Sequence, residues 1–201
     1  MLVLTVSRRF SGVYEAARAA AGGFACQVRV LDTNTAAGGQ ALVVLAAAAR
    51  AREGAALEEA ESRAHGVAER VRLVASMRNL DWLARGGHVP QIAAWTGRSL
   101  GVRPMFELRS GRVRPLRPVT TASAVIQRIV GLWRASRPAP DARAHVVAMH
   151  VLAAGQAERI VAAVRAETEP AIAVITSFGP VMVAHTGPEL VGLAWWWERQ
   201  T

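Results

Sequence analysis

The stretch Met1-Leu-Val-Leu-Thr-Val-Ser-Arg-Arg-Phe-Ser-Gly12 decides the fold class. Leu2 to Val6 is a nearly continuous apolar run, the pattern of a strand buried on both faces. Ser7 to Ser11 then turns the chain into a helix predicted over Gly12 to Ala21, which Gly22-Gly23 ends. Gln27 to Leu31 reads as a second strand ending at Asp32. Thr33, Asn34 and Thr35 form a polar turn placed to cap the long Ala-rich helix that follows to about Arg52. Glu53-Gly54 breaks the chain, and Leu57 to Arg70 reads as a further amphipathic helix. Strand and helix alternating in this rhythm predict a parallel α/β unit over residues 1–70.

Beyond residue 70 the texture changes to that of an α+β unit over residues 71–201. Arg72 to Ala75 is a short predicted strand, Asn79 to Ala84 a helical turn, Arg85-Gly86-Gly87-His88 a sharp loop and Ile92 to Thr96 a short helix. Val102 to Leu108 and Arg112 to Val119, joined through Ser110-Gly111, carry a hairpin pattern, with Pro104, Pro115 and Pro118 at bends or edge positions. A helix over Thr120 to Arg134, capped by Thr120 or Thr121, leads through the loop Arg137-Pro-Ala-Pro-Asp141. A strand over Ala144 to Val151 and a helix over Ala154 to Ala166 come next. Ala171 to Ser177, Val181 to His185 and Leu190 to Trp197 read as three further strands. The fold class is therefore α/β with two domains: a parallel α/β first domain and an α+β second domain with a mixed sheet.

Composition bounds the function. At 201 residues, with 52% hydrophobic and 19% charged residues, the chain buries a core and is not intrinsically disordered. Cys26 is the only cysteine, which excludes an internal disulfide and a Cys-based zinc site. The net charge of +9 comes entirely from arginine, since all 24 basic residues are Arg. Most are scattered, and only Arg98, Arg103, Arg109, Arg112, Arg114 and Arg117 cluster. An Arg-rich nucleic-acid-binding protein and a genome that favours Arg and Ala codons both account for this balance. The first residues lack a basic n-region, and the apolar stretch Ala36 to Ala49 is too short to span a bilayer, so a soluble cytoplasmic protein is expected.

Enzyme motifs are missing from the sequence. There is no Gly-x-Gly-x-x-Gly, no Gly-Lys-Ser, no Gly-x-Ser-x-Gly and no His-Glu-x-x-His. His145 and His150 lie five apart on a predicted strand and face opposite sides, so no metal is expected there. Two places concentrate polar chemistry. The Ser7 to Ser11 turn is where a strand hands over to a helix N-terminus, a setting that attracts anions; Ser7 and Ser11 add hydroxyls and Arg8 a charge. A Ser11 that merely caps its helix is the competing reading. The second place is Val183-Ala-His-Thr-Gly-Pro-Glu189, where His185 is either a donor to a carboxylate or a turn histidine.

Taken together these segments resemble the DegV family. Ser7-Arg-Arg-Phe-Ser-Gly-Val-Tyr14 is similar to that family's Ser-Ser-x-Leu-Ser-Gly-Thr-Tyr turn, and Leu31-Asp-Thr with the Ala-Gly-Gly-Gln-Ala-Leu beyond it resembles its Asp-Ser and Gly-rich helix start. Arg78-Asn-Leu-Asp-Trp-Leu-Ala-Arg-Gly-Gly-His88, Gly101-Val-Arg-Pro-Met105, Ser110-Gly-Arg-Val-Arg-Pro115 and Gly179-Pro-Val-Met-Val-Ala-His-Thr-Gly-Pro188 resemble the second domain. The resemblance implies a non-catalytic carrier that binds one long-chain fatty acid, such as palmitate or stearate, between two domains. It implies no cofactor and a fatty-acid kinase as partner. Carried over by motif, Ser7 is a head-group donor and His185 its counterpart from the second domain. Arg8 and Gly12 belong to the first turn, and Thr186 to the second. The family pattern is broken where Arg8 replaces a second Ser, Val13 a Thr, His88 an Arg and Glu189 a Gly. Relative to the family, the first domain is shortened at its start, which exposes the Leu2 to Val6 edge and invites homodimerisation. A truncated paralogue without ligand is the remaining alternative.

Overall fold

The computed structural model of the chain describes residues 1–78, 80, 81 and 101–199. The chain opens with β1 (Leu2–Thr5), α1 (Val13–Ala21), β2 (Arg29–Asp32), α2 (Ala37–Arg52) and α3 (Leu57–Arg70). It continues with β3 (Arg72–Ser76), β4 (Arg103–Arg109), β5 (Arg112–Val119), α4 (Ala122–Ala135), β6 (Arg143–His150), α5 (Ala154–Arg165), β7 (Ile172–Ser177), α6 (Pro180–Thr186) and β8 (Val191–Glu198). The expected loop over Arg85 to His88, the helix over Ile92 to Thr96 and most of the turn over Asn79 to Ala84 lie outside the described residues, as does Arg98.

Two sheets result. β1 and β2 pair in parallel, with Leu2 opposite Arg29 and Thr5 opposite Asp32. The second sheet has the order β5-β4-β3-β8-β6-β7, antiparallel except for the parallel pair β6 and β7. Helices α4 and α5 cover one face of this sheet: Val125, Ile129, Trp133, Ile160 and Val164 pack on Val74, Val146, Leu193 and Trp195. Helices α2 and α3 cover the other, where Leu42, Val43, Ala64 and Val67 meet Leu73, Val147, Met149 and Trp196. Alternation along β8 assigns each tryptophan its layer: Trp195 and Trp197 point to α4 and α5, Trp196 to α2 and α3. The Ser136 hydroxyl, just past α4, ties this layer together. It accepts the indole N–H of Trp195 at 2.8 Å and of Trp197 at 2.9 Å, and it donates to the Trp133 carbonyl at 2.6 Å.

The hairpin forms where expected. Ser110 and Gly111 both have positive φ (48° and 70°), the two-residue geometry that matches strand twist. Three sequence expectations are corrected. The strand predicted over Val181 to His185 is helix α6, because Gly179 stays extended and Pro180 sits in the first turn, where its missing N–H costs nothing. The Thr33 to Thr35 turn does not cap α2: Ala36 occupies the cap position and makes no side-chain cap hydrogen bond. β1 is not buried on both faces; Leu2, Val3 and Leu4 are half-buried and only Thr5 is buried. The outer edge of β1 pairs with no strand among the described residues.

Candidate functional site

The polar centre lies where β1 and β2 end. Ser7 is fully buried (0% exposed). Its N–H donates to the Thr35 carbonyl at 2.8 Å, which binds the β1–α1 turn to the β2–α2 turn. Its Oγ accepts a long 3.4 Å bond from the Arg9 N–H. Thr33 is also buried and donates its hydroxyl to the Thr5 carbonyl at 2.8 Å, so its proton is committed. Thr35 is buried and its Oγ1 has no hydrogen-bond partner among the described residues. Sequence reasoning took Thr35 for a cap and missed that its hydroxyl is uncommitted.

The charges around this centre are balanced. Arg8 is exposed and reaches Asp32 across 3.6 Å, with its guanidinium 5.8 Å from the Tyr14 ring centroid. Asp32 Oδ1 accepts the Asn34 N–H at 2.8 Å. Gly12 is the cap residue of α1, and the Ser11 hydroxyl accepts the Val13 N–H at 3.3 Å. Ser11 therefore lies one residue before the cap and is not the helix cap itself, although its oxygen accepts the first amide of α1. The hairpin tip closes over this region: the Gly111 N–H donates to the Asn34 carbonyl at 2.6 Å. A Cβ at Gly111 would stand 3.1 Å from both Arg9 Cδ and Asn34 Oδ1.

Apolar side chains line the same region. Leu4, Phe10, Ala36, Ala37, Phe106 and Phe178 are half-buried and pack on the layer between α2 and the large sheet. Phe106 and Phe178 also join the small cluster of Met77, Val151 and Leu190, where Val183 of α6 packs. The α6 segment that carries His185 and Thr186 thus adjoins the apolar band that reaches α2 and β1. His185 occupies the position before the last of α6. Thr186 is buried and donates its hydroxyl to the Met182 carbonyl at 2.8 Å, so it shapes the turn and has no proton to spare. Gly187 follows with φ of 71° and caps α6 through its N–H on Val183.

Elsewhere polar groups serve structure. Glu189 holds Arg103 at 2.6 Å and Arg78 at 3.1 Å. The hydrogen bond from Arg103, against an opposing effect of burial, keeps the Glu189 carboxyl below its ordinary range. Arg103 is thereby drawn out of the predicted basic row, leaving Arg109, Arg112, Arg114 and Arg117 exposed along the hairpin. A groove of about 520 Å³ on α3 is lined by Glu58, Glu59, Ser62, Arg63, Gly66 and Arg70, a charged lining unsuited to an alkyl tail. Among the described residues no group of three or more His, Cys, Asp or Glu is placed to hold a metal ion, and no helix is long and apolar enough to cross a membrane.

Comparison with known proteins places this geometry. Residues 1–198 match the family described as "Uncharacterised protein, DegV family". A DegV domain-containing protein of Streptomyces coelicolor is 34% identical over 194 residues, which cover 94% of this chain and 67% of the relative. The crystal structure of a DegV lipid binding protein from Thermotoga maritima superposes with a TM-score of 0.87 at 25% identity, covering 100% of this chain and 70% of that one. A structure described as fatty acid binding of a DegV family protein from Thermus thermophilus gives a TM-score of 0.87 at 26% identity, covering 97% and 70%.

Proposed function

The chain belongs to the DegV family, and from that premise we propose that it is a non-catalytic, cytoplasmic carrier of one long-chain fatty acid. The carboxylate is held by Ser7, with His185 approaching from the second domain, and the alkyl tail runs along the half-buried apolar residues that include Phe10, Phe106 and Phe178. The domains that enclose the ligand are residues 1–70 and 71–201. The carrier presents the carboxylate to a fatty-acid kinase, which performs the chemistry on it.

The observation that carries this reading is the setting of Ser7. A fully buried hydroxyl with one long hydrogen bond sits at the end of β1, beside half-buried aromatic side chains, in a family whose members bind fatty acids. A fatty acid needs that combination of a few convergent donors and an apolar channel. Arg8 is engaged with Asp32 and Tyr14, so its role is to hold the turn.

The test is native mass spectrometry of the purified protein, followed by titration with palmitate. Binding near one-to-one that weakens in Ser7→Ala and His185→Ala is the expected result. A parent protein that takes up no palmitate overturns the carrier reading, and salt-sensitive retention of nucleic acid in its place would favour a role for the exposed hairpin arginines.

A further inference from the structure

We infer that Thr35 supplies a second hydroxyl to the carboxylate seat, delivered at the uncapped N-terminus of α2. The inference rests on the fatty-acid reading above and adds a residue to it. Thr35 is 1% exposed and its Oγ1 has no hydrogen-bond partner among the described residues. A buried hydroxyl that spends its proton on no protein acceptor is free to donate to a ligand that reaches it. The hydroxyl lies against the first turn of α2, since a Cβ added at Gly39 would stand 2.3 Å from Thr35 Oγ1. That turn is itself a place for an anion. α2 has sixteen residues and Ala36 offers no side-chain cap; the Gly39 N–H already donates to the Ala36 carbonyl at 3.0 Å, so Ala37 and Gly38 carry the amides that precede the helix's own acceptors.

Three contacts fix the seat. The Ser7 N–H to Thr35 carbonyl bond joins the two hydroxyl-bearing turns into one wall. Gln40, one turn into α2, donates its side-chain amide to the Leu4 carbonyl at 3.1 Å and holds the helix start to β1. Gly38 lets α2 lie directly on β6, because a Cβ there would meet Met149 Cε at 2.7 Å. Asp32, at the end of β2, is engaged by Arg8 and by the Asn34 N–H, which lowers its repulsion of an incoming carboxylate. Thr33, two residues earlier, is excluded as a donor because its proton goes to Thr5.

The experiment compares Thr35→Val, which keeps the shape and removes the hydroxyl, with Thr35→Ser, which keeps the hydroxyl. Affinity is measured for palmitate and for methyl palmitate, and stability by chemical denaturation. The expected result is a Thr35→Val protein at least as stable as the parent, with palmitate affinity about tenfold weaker and methyl palmitate affinity unchanged. Thr35→Ser should bind palmitate like the parent. Equal palmitate affinity in Thr35→Val and the parent overturns the assignment, as does an equal loss for both ligands, which would mark a packing role. Should Thr35→Val fail to fold, Thr35→Ala makes the same comparison with less bulk. A parent that binds neither ligand sinks the carrier reading itself, an outcome distinct from failure of Thr35 alone.

Discussion

The two sheets of this protein are packed to different standards. The six-stranded sheet is covered on both faces, and β8 at its centre is buried from Val191 to Trp197. The two-stranded sheet of β1 and β2 is half-covered, and the α1 helix beside it has no buried residue. Phe24 and Val13, both in this first region, are more than half exposed. The difference separates two tasks. The large sheet carries most of the buried core, and the ends of β1 and β2 hold the buried hydroxyls of Ser7, Thr33 and Thr35 beside it. A loosely covered, polar region is a cost that a well-packed neighbour offsets.

The contrast is broken or sharpened by a graded set of variants. Trp195→Ala empties a fully buried site in the large sheet and should cost about 3–5 kcal/mol in denaturant unfolding, against no more than about 0.5 kcal/mol for Val13→Ala on α1. Equal losses at the two positions would erase the distinction between the regions. Ser136→Ala leaves the indole N–H groups of Trp195 and Trp197 without their acceptor, and the unfolding free energy should fall by about 2 kcal/mol. At the seam between the regions, Gly111→Ala forces a side chain into positive φ against Arg9 and Asn34. A loss of about 1 kcal/mol is expected, read from thermal unfolding, with the hairpin tip losing hydrogen-exchange protection.

The smallest effect is in pH. His145 stacks on Trp196 with ring centroids 4.3 Å apart and bonds Glu198 at 3.1 Å. Burial lowers its pKa from the ordinary 6.5, outweighing the opposing pull of Glu198. The unfolded chain therefore binds the proton more readily than the folded one. The stabilising contribution of neutral His145 is present above pH 6.5 and is lost as pH falls through the depressed folded value. Glu198 adds to this at lower pH. Burial raises its carboxyl, but the hydrogen bonds from Arg63 and His145 prevail and hold it below the usual range, so its contribution disappears on acidification. Denaturation midpoints measured across this range should decline toward acid, and His145→Gln should flatten the upper part of the decline. An unchanged slope in the variant would reject the assignment.

Much of the fold was legible because local rules and tertiary context agreed. The α3 range and the hairpin turn follow from periodicity and from a Ser-Gly pair that accepts positive φ. The failures are equally specific. Val181 to His185 is an apolar run with two valines that reads as a strand, yet Pro180 after an extended Gly179 starts a helix there. The Thr33 to Thr35 turn has the composition of a cap, but Thr33 turns back to β1 and Thr35 lies against Gly39. Of the candidate site, Ser7 was marked by its place between strand and helix. The uncommitted state of Thr35 has no sequence signal, since a hydroxyl's partners depend on side chains and carbonyls distant in the chain.

The sequence by itself determined the alternation of elements, the absence of enzyme motifs and the family resemblance, because these rest on short-range pattern and residue type. Only the tertiary structure decided which hydroxyls are spent and which are spare, and that Arg103 turns to Glu189 instead of joining the exposed hairpin arginines. It also decided that β1 stands half-covered beside a fully covered sheet. Hydrogen bonds and burial are settled by neighbours brought together from distant positions, and no local pattern specifies them.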